Sequence, residues 1–206
     1  MNSTRLPWSG LVVAGAASLL LSLAACSSDA ETSTSASTTA SAASTASASS
    51  AAASTCPTAE PADGGTPEWT FAGSTGSVSV TGSTDSSAPS VDVEAPFSVT
   101  ETKVQTLTPG DGAVVAEDAS VSVCYMGVNG RDGSIFDNSY ERGAPVEFPL
   151  TGVVPGFQKA IAGQTVGSTV AVAMDSADGY PNGQPRAGIE AGDSLVFAIK
   201  ILDVTG

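Results

Sequence analysis

An α+β domain, an antiparallel sheet closed against one short helix, is the fold class that this sequence predicts for its C-terminal half. Three observations predict it. Apolar residues alternate with polar ones in several short runs after Trp69. A tight turn cluster, Asn129 to Gly133, separates two of those runs. One segment, Pro155 to Gly163, breaks the alternation, with Pro near its start and Gly just past its end, the usual asymmetry of a short helix.

The runs appear in chain order. Ser77-Val78-Ser79-Val80 alternates, and Val91-Asp92-Val93 follows. Val121, Val123 and Tyr125 share one face of a strand, and Ser120, Ser122 and Cys124 share the other. The turn cluster makes a hairpin with the strand holding Ile135 and Phe136. Val170, Val172 and Met174 fall in step between Val166 and Met174. Leu195, Phe197, Ile199 and Ile201 line one face of a last strand, with Lys200 on the other. The pattern predicts a sheet with one wet face. In the helical segment Val154, Phe157 and Ile161 fall on one side, so helix and sheet share the core.

Composition narrows the chemistry. None of the 206 residues is histidine, which excludes Ser-His-Asp hydrolases, Cys-His proteases and His-ligated zinc sites. Twenty-one acidic residues against 7 basic ones give a net charge of −14, which repels nucleic acid and anionic lipid headgroups. No EF-hand spacing appears, and no metal or cofactor is implied. The acidity reads as a solvated surface.

The first 25 residues read as an address: Met1 to Arg5 is short and positive, and Gly10 to Ala25 is apolar apart from two serines. Leu23-Ala24-Ala25-Cys26 resembles the bacterial lipobox, in which the Cys takes a diacylglycerol and becomes the first residue after cleavage. An ordinary signal peptide or an uncleaved anchor are the alternatives. Each puts the domain outside the cytoplasm, and the lipobox makes it a lipid-anchored protein of the cell membrane. Residues 27–55, almost wholly Ser, Ala and Thr, read as a disordered tether with a reach of about 30 Å. With Cys26 lipidated, Cys56 and Cys124 remain as an even pair. They either form a disulfide that staples the start of the domain to its sheet or stay separate thiols. The resulting division is 1–25 signal peptide, 26–68 lipidated Cys and tether, 69–104 edge strands or extension, and 105–206 the main domain.

Within that main domain, Val121-Ser122-Val123-Cys124-Tyr125-Met126-Gly127, Asp132-Gly133, Ile135-Phe136-Asp137-Asn138-Ser139 and Arg142-Gly143 resemble the signature of FKBP-type peptidyl-prolyl cis-trans isomerases. The register continues through Phe148-Pro149-Leu150, Val153-Val154-Pro155-Gly156-Phe157, Gly163, Val166-Gly167, Gly179-Tyr180-Pro181 and Leu195-Val196-Phe197. The resemblance implies a twisted antiparallel half-barrel around a short helix, and isomerisation of X-Pro bonds in exported polypeptides without a covalent step. It implies catalytic roles for Tyr125, Phe136, Asp137, Tyr180 and Phe197. Val153, Val154, Phe157, Ile189, Arg142 and Phe148 would bind substrate or brace the site, and a macrolide would be a further ligand.

The chain departs from the family pattern at Phe157 (usually Trp), at Val146 (commonly aromatic), at Pro181 (usually Gly) and after Ile189, where a Pro is missing. A proline-binding module or holdase with weak or no catalysis is therefore the alternative function.

Overall fold

The computed structural model describes residues 55–62 and 65–206. All belong to one of two compact units, Ala48–Gly206. Cys26, the signal peptide and the tether up to residue 54 lie outside the described residues.

Ten elements follow one another: β1 (Trp69–Ala72), β2 (Thr75–Thr81), β3 (Ser90–Ser98), β4 (Lys103–Thr108), β5 (Ser120–Asn129), β6 (Ile135–Asn138), β7 (Val146–Pro149), α1 (Pro155–Ile161), β8 (Thr169–Met174) and β9 (Leu195–Val204). Strands β4 to β9 form one antiparallel sheet in the order β4-β8-β9-β5-β6, with β7 also on β5. The helix packs against the inner face of this sheet, so the fold is α+β, the half-barrel around one short helix that the resemblance implies.

The inner core is the one the alternation points to. Val121 and Val123 of β5, Val170, Val172 and Met174 of β8, and Leu195, Phe197, Ile199 and Ile201 of β9 close over Phe157, Ala160 and Ile161 of the helix. Gly156 lets helix and sheet approach, because a Cβ there would stand 2.5 Å from Met174 Cγ.

The outer face is covered, although the alternation predicts a wet one. β1, β2 and β3 form a separate three-stranded sheet that lies on the back of β8 and β9. Its Val78, Val80 and Phe97, with Val99 just beyond, pack on Ala171, Ala173, Val196 and Ala198. Every residue of β8 is therefore buried. The physical signal stood at the outward positions of β8 and β9. Under the second sheet they are Ala171, Ala173, Val196 and Ala198, small apolar residues that admit it at close range. Of the segment 69–104, only Lys103 and Val104 join the main sheet, as the start of its edge strand β4; the rest builds this second layer or links it to β4.

A third apolar cluster fills the other end of the outer face. Cys124, Met126 and Val128 of β5 point away from the inner core and pack with Tyr140, Ala88 and Cys56. Cys56 and Cys124 are joined by a disulfide, with Cα atoms 5.8 Å apart, which pins the leading segment to the middle of β5.

Candidate active site

The aromatic residues inside the half-barrel meet at one end of the inner core. Phe157, at the start of the helix, and Phe197, on β9, are nearly fully buried and stand edge-to-face with ring centroids 5.1 Å apart. Around this floor are Tyr125, 5.6 Å from Phe157; Phe148, 5.4 Å from Phe157; and Phe136, 5.5 Å from Phe197. The three are only half-buried, as are Val153, Val154 and Tyr180, which also pack against the cluster. These edge-to-face contacts hold the rings in fixed orientations.

Gly127 makes room for the box. A Cβ at that position would lie 2.7 Å from Phe136 Cζ and 2.8 Å from Phe197 Cε1. Any side chain on β5 here would displace both rings.

One edge of the box is polar. The Tyr125 hydroxyl donates to Asp137 Oδ2, and Arg142 Nη1 donates to Asp137 Oδ1 at 2.7 Å. Partial burial is the largest single influence on Asp137 and pushes its carboxyl upward. The two donors together outweigh it, so the group titrates below the ordinary carboxylate range. Burial first, then the Asp137 carboxylate, push the Tyr125 hydroxyl up to about 12. At neutral pH the pair is thus a charged carboxylate held by a neutral phenol and a guanidinium.

Two donors are open. Among the described residues neither the Tyr180 hydroxyl nor the Val154 backbone N–H has a hydrogen-bond partner. Tyr180 follows a single turn, Ser176–Asp178, that Lys159 of the helix grips through Asp178 Oδ2 at 2.7 Å. Ile189, from the loop between β8 and β9, is buried in the cluster. Of the eleven pocket residues nominated from the sequence, nine belong to or pack against the inner core cluster, and Asp137 and Arg142 join it through Tyr125, Arg142 at the exposed edge.

Sequence reasoning did not single out Ser139. It is fully buried; its Oγ accepts from the Tyr125 N–H at 2.8 Å, and its own N–H donates to the Tyr125 carbonyl at 2.9 Å. These bonds tie the loop carrying Arg142 to the strand carrying Tyr125. A hydroxyl just after the end of β6 was the available signal, but its partner is 14 residues away.

The sequence profile of the FKBP-type peptidyl-prolyl cis-trans isomerases matches residues 112–202. A Corynebacterium glutamicum protein described as a probable FK506-binding protein is 34% identical over 94 residues, which span 45% of this chain and 78% of that protein. The chain belongs to the FKBP-type family. The FKBP-type 22 kDa peptidyl-prolyl cis-trans isomerase of Escherichia coli is 35% identical over 98 residues, 48% of this chain and 47% of that protein. The chain thus spans about half the length of this longer relative. Among solved structures, the FKBP-type domain is similar to a peptidyl-prolyl cis-trans isomerase of Pseudomonas syringae. That match has 29% identity, a TM-score of 0.46 and coverage of 51% of this chain and 76% of the other. It is also similar to FkpA of Escherichia coli, at 32% identity, a TM-score of 0.46, 50% of this chain and 48% of the other.

Proposed function

We propose that this protein catalyses cis–trans isomerisation of X-Pro bonds in exported polypeptides, held on the side of the cell membrane that faces away from the cytoplasm by a lipid on Cys26. The observation that carries the catalytic part is the Tyr125–Asp137–Arg142 set at the edge of the box built by Phe136, Phe148, Phe157 and Phe197. Rotation about the imide faces a barrier of about 18–20 kcal/mol, because the planar form loses its resonance as it twists. No bond is made or broken, so a chain without histidine lacks nothing.

The rings and Val153 receive the prolyl ring and strip water from the imide. The planar imide is the more polar form and depends more on solvation. An apolar site therefore favours the twisted form relative to it. The open Val154 N–H and Tyr180 hydroxyl are donors for substrate carbonyls on the side that stays fixed. Asp137, kept ionised by Tyr125 and Arg142, faces the carbonyl that turns and acts on its changing dipole. A macrolide with a proline-like ring would occupy the same box.

The extracytoplasmic part of the reading rests on the lipobox-like Leu23 to Cys26 and on the Cys56–Cys124 disulfide, a bond that persists in oxidising compartments. The test is isomerisation of a short X-Pro peptide by the purified full chain, with and without rapamycin. Catalysis inhibited by the macrolide is the expected result. A folded chain that binds the peptide without turning it over would be a binding module instead. Mass spectrometry of membrane-extracted protein tests the anchor: an unmodified Cys26 rules it out.

A further inference from the structure

The loop between β8 and β9 places Ile189 in the same inner core cluster as Phe157 and Phe197. A set of side chains outside the family motifs holds it there. Asn129, the last residue of β5, is fully buried at an inward position where the strand's alternation calls for an apolar group. Its Nδ2 donates to Asp193 Oδ2 at 2.8 Å, and its Oδ1 accepts from the Arg131 N–H at 2.9 Å. Arg131 then bridges, with Nε 3.3 Å from Asp193 Oδ2 and Nη2 donating to the Gly188 carbonyl at 3.0 Å. The Glu190 N–H also donates to Asp193 Oδ2, at 2.8 Å.

The two peptide groups that flank Ile189 are therefore both anchored, the Gly188 carbonyl by Arg131 and, at 3.5 Å, by Asn129 Nδ2, and the Glu190 N–H by Asp193. We infer that Asn129, Arg131 and Asp193 form a clasp that fixes Ile189 against the proline box and so sets substrate affinity. They are positioning residues; none belongs to the box itself. The back sheet braces the same point. Gly130 donates to the Ser194 carbonyl at 2.8 Å and accepts from the Phe97 N–H at 2.8 Å, while the Val99 N–H donates to Ser194 Oγ at 3.0 Å. The inference rests on the isomerase reading for its effect on substrate, and on geometry alone for its effect on the loop.

Arg131 is the residue to change first, because its side chain is 38% exposed and its loss leaves no hole in the core. In Arg131→Ala we expect KM for an X-Pro peptide to rise about fivefold, with kcat within about twofold. Arg131→Lys should behave like Arg131→Ala, because an ammonium cannot serve Asp193 and the Gly188 carbonyl in one fork geometry. Ile189→Ala should raise KM similarly, and adding Arg131→Ala to it should raise KM no further. Exchange of the Glu190 amide, read by NMR on the full chain, should accelerate about tenfold in Arg131→Ala. An unchanged KM, or additivity with Ile189→Ala, would overturn the clasp. A wild-type chain without turnover would instead sink the isomerase reading. The Glu190 exchange rate would then decide the clasp alone: faster in Arg131→Ala supports it, equal to wild type refutes it.

Discussion

Tyr125 and Asp137 face each other across neighbouring strands, the phenol donating to a carboxylate that Arg142 holds from its other side. The carboxylate's charge and orientation depend on both donors. Asp137→Val should lower kcat/KM at least tenfold without loss of fold, whereas Tyr125→Phe, which leaves Arg142 in place, should cost about threefold. Steady-state isomerisation alongside near-UV circular dichroism separates the two effects. Equal activity in wild type and Asp137→Val would remove the carboxylate from the mechanism.

Activity should be flat between about pH 5 and 9, because Asp137 titrates below that window, Tyr125 above it, and the chain has no histidine. Asp137 titrates below the ordinary range, so its stabilising contribution is present above the unfolded carboxylate pKa and is lost as pH falls through the folded one. Tyr125 is shifted the other way. Its contribution holds below the unfolded phenol pKa and is lost as pH rises towards about 12. A bell-shaped profile centred near neutrality would contradict this assignment.

The Cys56–Cys124 bond closes a sequence separation of 68 residues, for which chain entropy gives a stabilisation of about 4 kcal/mol. Replacing both cysteines with serine should lower the denaturant midpoint accordingly. Reductant should then affect the wild type and not the variant. Identical midpoints for wild type and variant in oxidising buffer would mean that the cross-link contributes nothing.

Phe97 is buried between the two sheets, on the alanines of β8 and β9. Phe97→Ala should cost about 3–5 kcal/mol of stability. The measurement is equilibrium unfolding. A cost below 1 kcal/mol would mean that the second sheet is an ornament rather than part of the core.

Gly127→Ala should damage the site more than the fold, because the added methyl meets Phe136 and Phe197 below 3 Å. Peptide affinity should fall about tenfold with a smaller loss of stability. Titration of an X-Pro peptide followed by NMR shifts of the Tyr125 amide reads it directly.

The inner half of this protein is legible in its sequence because strand alternation is a local code. Val121-Val123-Tyr125 and Leu195-Phe197-Ile199-Ile201 declare their buried face residue by residue, and Pro155 and Gly163 punctuate the helix between them. The resemblance to the FKBP signature adds the site, since its motifs keep Tyr125, Phe136, Asp137 and Phe157 in register.

What only the tertiary structure decided are the contacts between segments distant in sequence. Ala171, Ala173 and Ala198 are silent about what covers them until β2 and β3 arrive from nearly a hundred residues upstream. Asn129 in an apolar phase signals a buried polar partner, but the sequence does not name Asp193, 64 residues away. Periodicity states which side of a strand is dry. It cannot state which element keeps it dry, because that depends on chain closure in three dimensions.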